Sequence, residues 1–299
     1  MEEFEYTGCP VCQNKTCRRK YSIDYGSSKV LEKLRIKEYP KVYLFECSVC
    51  GHHFANPVLK DDYLDAYYSI LDSEYFLVEG DFLKKEHERL TRIIGRYLTK
   101  GSVLEIGCGR GFLLNEFKKK GWECYGVEPS PTAVKFAVEE FGLDIKAGVL
   151  TKDSYPRKFD LIILLDVIEH LKYPGEMISM LHDYLRPKGL LVIGTGNISS
   201  INAKISGRHW GYYGSWEHIS FFNRQSMRYL LKKYQFDCKI IGASYREGIL
   251  YNIDSLIQNV IVRFENLIKL IVERLVGHGL RKRLTRLAFD HMIVIGQRS

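Results

Sequence analysis

Two cysteine pairs and one run of glycines are the places in this chain where residue type and spacing could do chemistry. Cys9-Pro10-Val11-Cys12 and Cys47-Ser48-Val49-Cys50 are C-x-x-C knuckles. Each can direct two thiolates at one tetrahedral zinc ion, and four such ligands close a structural site with no open position. A thioredoxin-type redox centre needs one pair and no second knuckle, so a metal is expected on Cys9, Cys12, Cys47 and Cys50. The 34 residues between Cys12 and Cys47 exceed the usual finger spacing, which points to an elaborated ribbon within residues 1–60. Cys17, His52 and His53 are expected to be spare surface residues.

The glycines lie in Ser102-Val103-Leu104-Glu105-Ile106-Gly107-Cys108-Gly109-Arg110-Gly111. An apolar run ends in glycines at alternating positions, and Phe112, Leu113, Leu114 and Phe117 follow at helical spacing. Strand, tight turn and helix in that order let backbone approach a ligand closely, because no Cβ intervenes. Roughly 20 residues on, a second strand-like run ends in Glu128-Pro129-Ser130, and an acid at such a strand tip can accept both hydroxyls of a ribose. A dinucleotide fingerprint would need a glycine at position 112, where Phe112 stands. Glu105, two residues ahead of the glycines, suits a ligand with an ammonium group and not a pyrophosphate.

These residues resemble the class I S-adenosylmethionine (SAM) methyltransferases, whose first motif is E/D-x-G-x-G-x-G. The resemblance continues through Phe159–Leu165 into Asp166-Val167-Ile168-Glu169-His170-Leu171, which looks like the branch holding ubiquinone-type O-methyltransferases and many small-molecule methyltransferases. It implies that Glu105, Gly107, Gly109 and Gly111 frame the methionine half of SAM, with Cys108 between them, and that Glu128 and Pro129 lie at the ribose. It also implies Gly148, Val149 and Leu150 at the adenine, and Asp166 and Val167 beside the transferred methyl. The cysteine module looks like the zinc ribbon that precedes many bacterial methyltransferases.

A hydroxyl acceptor needs its proton removed, and histidine is the natural base near neutral pH. His170 in the D-V-I-E-H segment and His218 in Trp216-Glu217-His218-Ile219-Ser220-Phe221-Phe222 are the candidates, with Asp166 completing the catalytic set. His218 is favoured as base or acceptor contact. It sits in an aromatic stretch (Trp210, Tyr212, Tyr213, Trp216, Phe221) whose rings could stack on a sugar or a planar acceptor. For His170 the structural alternative is a cap or a hydrogen bond to the loop after the fifth strand. His209 and His291 look incidental.

The elements that must position these groups alternate. Strands are expected at 102–106, 123–127, 143–147, 159–165, 189–195, 236–243 and 290–297, with helices near 112–120, 131–141, 174–185 and 223–234. That alternation predicts an α/β fold with a doubly wound parallel sheet. The resemblance makes it a Rossmann-like, seven-stranded methyltransferase sheet over 101–299 whose last hairpin is reversed. Residues 61–100 read as connecting helices. The second carries a stripe of Phe82, Leu83, His87, Leu90, Ile93, Ile94 and Tyr97, and either docks on the first strand or covers the cofactor pocket, with Tyr68, Tyr75 and Phe76 as cover residues. Before the last strand, about 246–287 forms a helical insertion. Its apolar positions Ile253, Leu256, Ile257, Val260 and Phe264 step by three and four, and a basic tail, Arg281–Arg286, follows. It packs on the protein or a second subunit, or else 253–286 touches anionic lipid.

A charged fraction of 27%, a hydrophobic fraction of 45% and a net charge of +8 describe a globular chain that tolerates anionic partners and selects none. Eight cysteines, an acidic N-terminus and no bilayer-length apolar run lead us to expect a cytoplasmic location, with peripheral contact at the inner membrane face if the insertion binds lipid. The expected activity is SAM-dependent methyl transfer to a small molecule or glycan, at oxygen, as in surface-polysaccharide or secondary-metabolite synthesis. Methylation of an rRNA base is the second hypothesis, although the N/D-P-P-Y/F amino-methylation motif is missing. A non-catalytic zinc-ribbon adaptor is the third, and the intact Glu105, glycine and Glu128 set argues against it.

Overall fold

The computed structural model describes residues 3–23, 32, 34–36, 40–63, 81–214, 216–243 and 291–299. The expected insertion at 246–287 with its basic tail, and the expected cover residues Tyr68, Tyr75 and Phe76, lie outside the described residues.

The N-terminal module is built of short strands: β1 (Phe4–Glu5), β2 (Cys17–Ile23), β3 (Val42–Cys47), β4 (His53–Asn56) and β5 (Val58–Leu59). β1 pairs with β5, and β2, β3 and β4 form an antiparallel meander. Hairpin pairing brings the two knuckles together because β3 leads straight into the second one. The Cys47 amide donates to the His52 carbonyl at 2.8 Å and the Gly51 amide to the Cys47 carbonyl at 3.0 Å, closing a tight turn around Cys50.

Helix α1 (Asp81–Ile94) precedes the sheet that carries the chemistry. β6 (Ser102–Ile106), α2 (Phe112–Lys119), β7 (Glu123–Glu128), α3 (Pro131–Phe141), β8 (Asp144–Ala147), β9 (Phe159–Leu165), α4 (Pro174–Tyr184) and β10 (Leu185–Gly196) alternate as expected. After them come α5 (Ile201–Ser206), β11 (Ser220–Phe221), α6 (Arg224–Lys233), β12 (Phe236–Ala243) and β13 (His291–Arg298). Local chemistry fixes the ends: Ser130 Oγ accepts from the Ala133 amide ahead of Pro131 in the first turn of α3, and Asn223 and Ser226 form a reciprocal capping box on α6.

The seven-stranded sheet runs β12-β13-β10-β9-β6-β7-β8. Its central strands are parallel, and β13 is the reversed one, antiparallel to both β10 and β12. β6 and β9 are buried on both faces, so they read as continuous apolar runs. β10 begins four residues earlier than expected, with a register shift between Leu185 and Leu190 where Lys188 takes φ 63°.

Helix α1 docks on the sheet through its C-terminal half. Leu90 and Ile94 are buried with Leu114, Phe117 and Trp122 on the outer face of the sheet. Tyr97, expected in the buried stripe, is exposed because the helix ends at Ile94 and the stripe ends with it.

The N-terminal module is stitched to the rest by backbone. β11 pairs antiparallel with β4, Ser220 opposite Phe54 and Phe221 opposite His53, so the second sheet reads β11-β4-β3-β2. Asn223 Nδ2 donates to the Gly51 carbonyl at 2.8 Å. Trp210, Tyr213, Trp216 and Phe221 are buried against Phe4, Ile23, Val42 and Leu44. These rings are therefore the glue between module and sheet, and their burial removes them from the stacking role expected for an acceptor. His52, expected at the surface, is fully buried with its ring against Phe222 at 4.6 Å between centroids.

Candidate active site

The turn after β6 is shaped by left-handed backbone. Gly107, Gly109 and Gly111 take φ of 68°, 52° and 75°. A Cβ on Gly107 would lie 2.7 Å from Val167 Cγ2, so any side chain there would collide with the segment leaving β9. Glu128, 3% exposed at the tip of β7, is held by two backbone donors. Gly109 N–H donates to Oε2 at 2.9 Å and Ser130 N–H to Oε1 at 2.8 Å. Burial raises its carboxyl above the ordinary value, against the pull of those two amides. Each oxygen keeps lone-pair capacity for one further donor, the requirement for a vicinal diol.

Around this turn, Glu105 is buried within β6, and the Cys108 thiol is buried against Gly126. Pro129 is exposed. The Gly148 amide donates to the Glu128 carbonyl at 2.9 Å, Leu150 turns into the core and Val149 is 69% exposed. The structure thus brings the β6 turn, the β7 tip and the β8 turn to one end of the sheet.

The acceptor side gathers more groups than expected from sequence. Asp166 follows β9 with φ 53°, a left-handed conformation uncommon outside glycine that marks functional ends of strands. Its amide donates to the Gly194 carbonyl at 2.9 Å, and its Oδ1 lies 3.3 Å from His291 Nε2. Glu169, fully buried in the one-turn 3₁₀ helix Ile168–His170, accepts from Thr195 Oγ1 at 2.8 Å and from the Tyr212 hydroxyl. That hydroxyl in turn accepts from the Gly196 amide at 2.9 Å. Burial first, and then the Glu169 and Asp166 charges, push the Tyr212 phenol well up.

His218 stacks on Tyr212 with centroids 4.2 Å apart and meets His170 edge-on at 4.9 Å. Its Nδ1 is 2.8 Å from the Tyr212 carbonyl, which fixes the tautomer with the proton on Nδ1 and the lone pair on Nε2. Burial, and then the neighbouring His170, lower its pKa below the ordinary value, so the ring is neutral. Donor atoms of Glu169, His170 and His218 lie within 4.8 Å of one another. Both Glu169 oxygens already accept from hydroxyls, those of Thr195 and Tyr212. Glu169, Thr195, Tyr212 and His291 were missed as site residues by sequence reasoning. Gly194-Thr195-Gly196 at the end of β10 was the available signal, since glycine at a strand end marks close approach.

A methyltransferase-domain family model matches residues 82–239, which include β6 to β11 and the turns after β6, β7 and β8. The chain belongs to this family. A ubiquinone biosynthesis O-methyltransferase of Rhodopseudomonas palustris (strain TIE-1) is 33% identical over 100 residues, 32% of this chain and 40% of that protein. The corresponding Bradyrhizobium sp. (strain ORS 278) protein is 27% identical over 161 residues, 50% of this chain and 62% of its own length. The matched stretches thus span less than two thirds of these relatives. A SAM-dependent methyltransferase structure from Archaeoglobus fulgidus shares the fold, with a TM-score of 0.50 and 22% identity over 75% of this chain and 99% of that one. The chain thus has the fold of that class I structure.

The residues present fit that cofactor. The side-chain-free turn at Gly107 and the Glu128 carboxylate with capacity for two donors would hold the methionine and ribose parts, and Glu105 would face the ammonium. SAM supplies an electrophilic methyl on a sulfonium. The protein then has to orient the acceptor and exclude water. The ribbon fits zinc as well. Cys9 and Cys50 sulfurs are 3.5 Å apart, Cys12 and Cys47 sulfurs 3.4 Å, and all four lie within 4.8 Å of one another. A tetrahedron of thiolates at ordinary zinc–sulfur lengths of about 2.3 Å has edges of about 3.8 Å.

Proposed function

We propose that this methyltransferase transfers the SAM methyl group to a hydroxyl oxygen of a small molecule. One observation carries the proposal: a carboxylate, two histidines and a buried Glu169–Tyr212 pair are gathered at the carboxyl edge of the sheet, beside Asp166 and Val167. Open α/β sheets bind ligands at that edge, and a hydroxyl acceptor, unlike a neutral amine or a thiolate, needs a proton-accepting group there. The O-methyltransferases among the relatives support the same acceptor atom. In this proposal Glu105, Gly107, Cys108, Gly109, Gly111, Glu128, Pro129, Gly148, Val149 and Leu150 surround the cofactor. Asp166, His170 and His218 face the acceptor, with neutral His218 lining its pocket.

A glycan acceptor loses its main structural support, because four of the five candidate stacking rings are buried. A free hydroxylated small molecule is the better fit. The eight cysteines are all free, in keeping with the reducing compartment we propose for it. No helix among the described residues is long and apolar enough to cross a membrane.

Mass spectrometry of the purified protein tests the cofactor part by looking for co-purified SAM or S-adenosylhomocysteine. The acceptor part is tested by following S-adenosylhomocysteine release with 3,4-dihydroxybenzoate, phenol, a methyl hexopyranoside and a primary amine. Methylation at a phenolic oxygen is the expected result. Turnover confined to the amine would overturn the oxygen assignment, and turnover of the hexopyranoside alone would restore the glycan.

A further inference from the structure

We infer that His291, paired with Asp166, takes the acceptor proton. This rests on the proposed hydroxyl acceptor and names the base for it. His291 opens β13 directly opposite Gly196 of β10, so the two residues project to the same face of the sheet. Gly196 has no side chain to stand between β13 and β9, and the imidazole lies across β10 with Nε2 3.3 Å from Asp166 Oδ1. The Tyr212 ring packs edge-on to His291 at 5.4 Å, above the same glycine. Among the described residues, the titratable groups facing His291 are thus Asp166 from β9 and Tyr212 from the turn after β10, with Glu169 behind the Tyr212 hydroxyl.

Ion-pair distance from the Asp166 carboxylate to His291 Nε2 lets that carboxylate stabilise the cation once the other ring nitrogen, Nδ1, has taken the proton. His218 lacks that arrangement. Its Nδ1 is committed to a carbonyl, its ring lies flat on Tyr212, and a second histidine abuts it. A positive charge formed on His218 would sit beside His170, whereas one formed on His291 sits beside Asp166. In the step, the acceptor oxygen forms its bond to the methyl carbon as the sulfur–carbon bond breaks, leaving its electron pair on sulfur as a neutral thioether. His291 Nδ1 takes the hydroxyl proton, and the imidazolium, 18% exposed at its side chain, later gives that proton to water.

Two measurements on the full chain decide it. Histidine ring spectra by NMR on ¹⁵N-labelled protein with S-adenosylhomocysteine need no acceptor; the His291 signal is assigned by its loss in His291→Gln. Asp166→Asn is expected to move the His291 ring-nitrogen resonances, because the carboxylate lies 3.3 Å from Nε2. Unmoved resonances would overturn the pair. With the best hydroxyl acceptor of the panel above, His291→Gln should lower kcat by about 10²-fold and remove the acidic limb of its pH profile. Its SAM affinity should stay unchanged, and imidazole should partly rescue His291→Gly. Retention of the wild-type pH profile by His291→Gln would overturn the proposal, as would loss of that limb in His218→Gln alone. If no hydroxyl probe is methylated, the oxygen-acceptor proposal and the proton step fall together, while the NMR comparison still decides whether Asp166 and His291 form a pair.

Discussion

The cofactor side and the acceptor side of this sheet are assembled in opposite ways. Glu105, Gly107, Gly109 and Glu128 come from two adjacent strands and lie within 24 positions of one another. The hydrogen bonds that fix Glu128 are made by neighbours of the same β–turn–α units. The acceptor side takes Asp166 and Glu169 from β9 and its 3₁₀ turn, Thr195 from β10, Tyr212 and His218 from the connection to β11, and His291 from the last strand. It also leans on the N-terminal module. The Ile219 amide donates to the Glu169 carbonyl at 3.0 Å, while the Ile219 carbonyl accepts from the Ala55 amide at 2.9 Å. One residue, immediately after His218, thus joins the ribbon sheet to the residue beside His170. A local site tolerates distant damage, whereas a site sewn together from the whole chain should not.

Metal removal should expose this difference most sharply. Structural zinc in small modules contributes binding free energy of about 10–16 kcal/mol that is also folding free energy. Chelation or Cys47→Ser is expected to release one zinc per chain and to remove hydrogen-exchange protection from β3 and β4. Protection should also fall at 219–223, because β11 loses its partner strand, while SAM binding measured by calorimetry stays intact. Equal loss of SAM affinity would show that the two sides are not separable, and elemental analysis without zinc would sink the metal assignment itself.

The converse experiment is Glu128→Ala. Two charge-assisted hydrogen bonds of about 1.5–3 kcal/mol each are removed, so SAM should bind at least about 10²-fold more weakly. Thermal unfolding of the apo protein should also shift downward, since the Gly109 and Ser130 amides lose their acceptor, so SAM affinity is read below the variant's melting temperature. Unchanged SAM affinity would remove Glu128 from the ribose.

The same contrast explains what was legible in the sequence. Seven strands and four helices of the catalytic sheet were readable because periodicity and glycine punctuation are local signals. The cofactor residues were readable because a β–turn–α unit carries its own ligand geometry. His291 looked incidental because nothing within ten residues of it says that Gly196 will leave it a path to Asp166. Trp210 and Trp216 looked like an acceptor platform because an aromatic run does not say which face will be buried, and the strand that buries it comes from residues 53–56. His52 was placed at the surface for a similar reason. A polar residue beside a knuckle is ordinarily solvated, but β11 and Phe222 close over this one.

A smaller effect is expected of Tyr212→Phe. The hydroxyl links the Gly196 amide to buried Glu169, and its loss leaves a buried acceptor short of one donor, at a cost of about 1–3 kcal/mol. The melting temperature should fall and turnover with the best hydroxyl acceptor should drop, with SAM affinity unchanged. If Tyr212→Phe weakens SAM binding as much as turnover, the Glu169–Tyr212 pair belongs to the cofactor side.

The smallest expected effect is the pH dependence of SAM binding. Glu128 has a folded-state pKa above its ordinary 4.5, raised chiefly by burial. A group shifted upward binds its proton more tightly when folded, so that contribution to stability is present below the unfolded value and is lost as pH rises through the folded one. Ribose hydroxyls donate to the ionised carboxylate and pull in the opposite direction. Binding should therefore expel a proton between 4.5 and the raised value, and SAM affinity should weaken as pH falls through that window. Calorimetry in two buffers of different ionisation enthalpy should detect a fraction of a proton released there and none at pH 8. Glu128→Gln, which keeps the shape but cannot ionise, should bind weakly and without that proton release. Proton uptake on binding, or the same release in Glu128→Gln, would mean that another group near the turn is the one titrating.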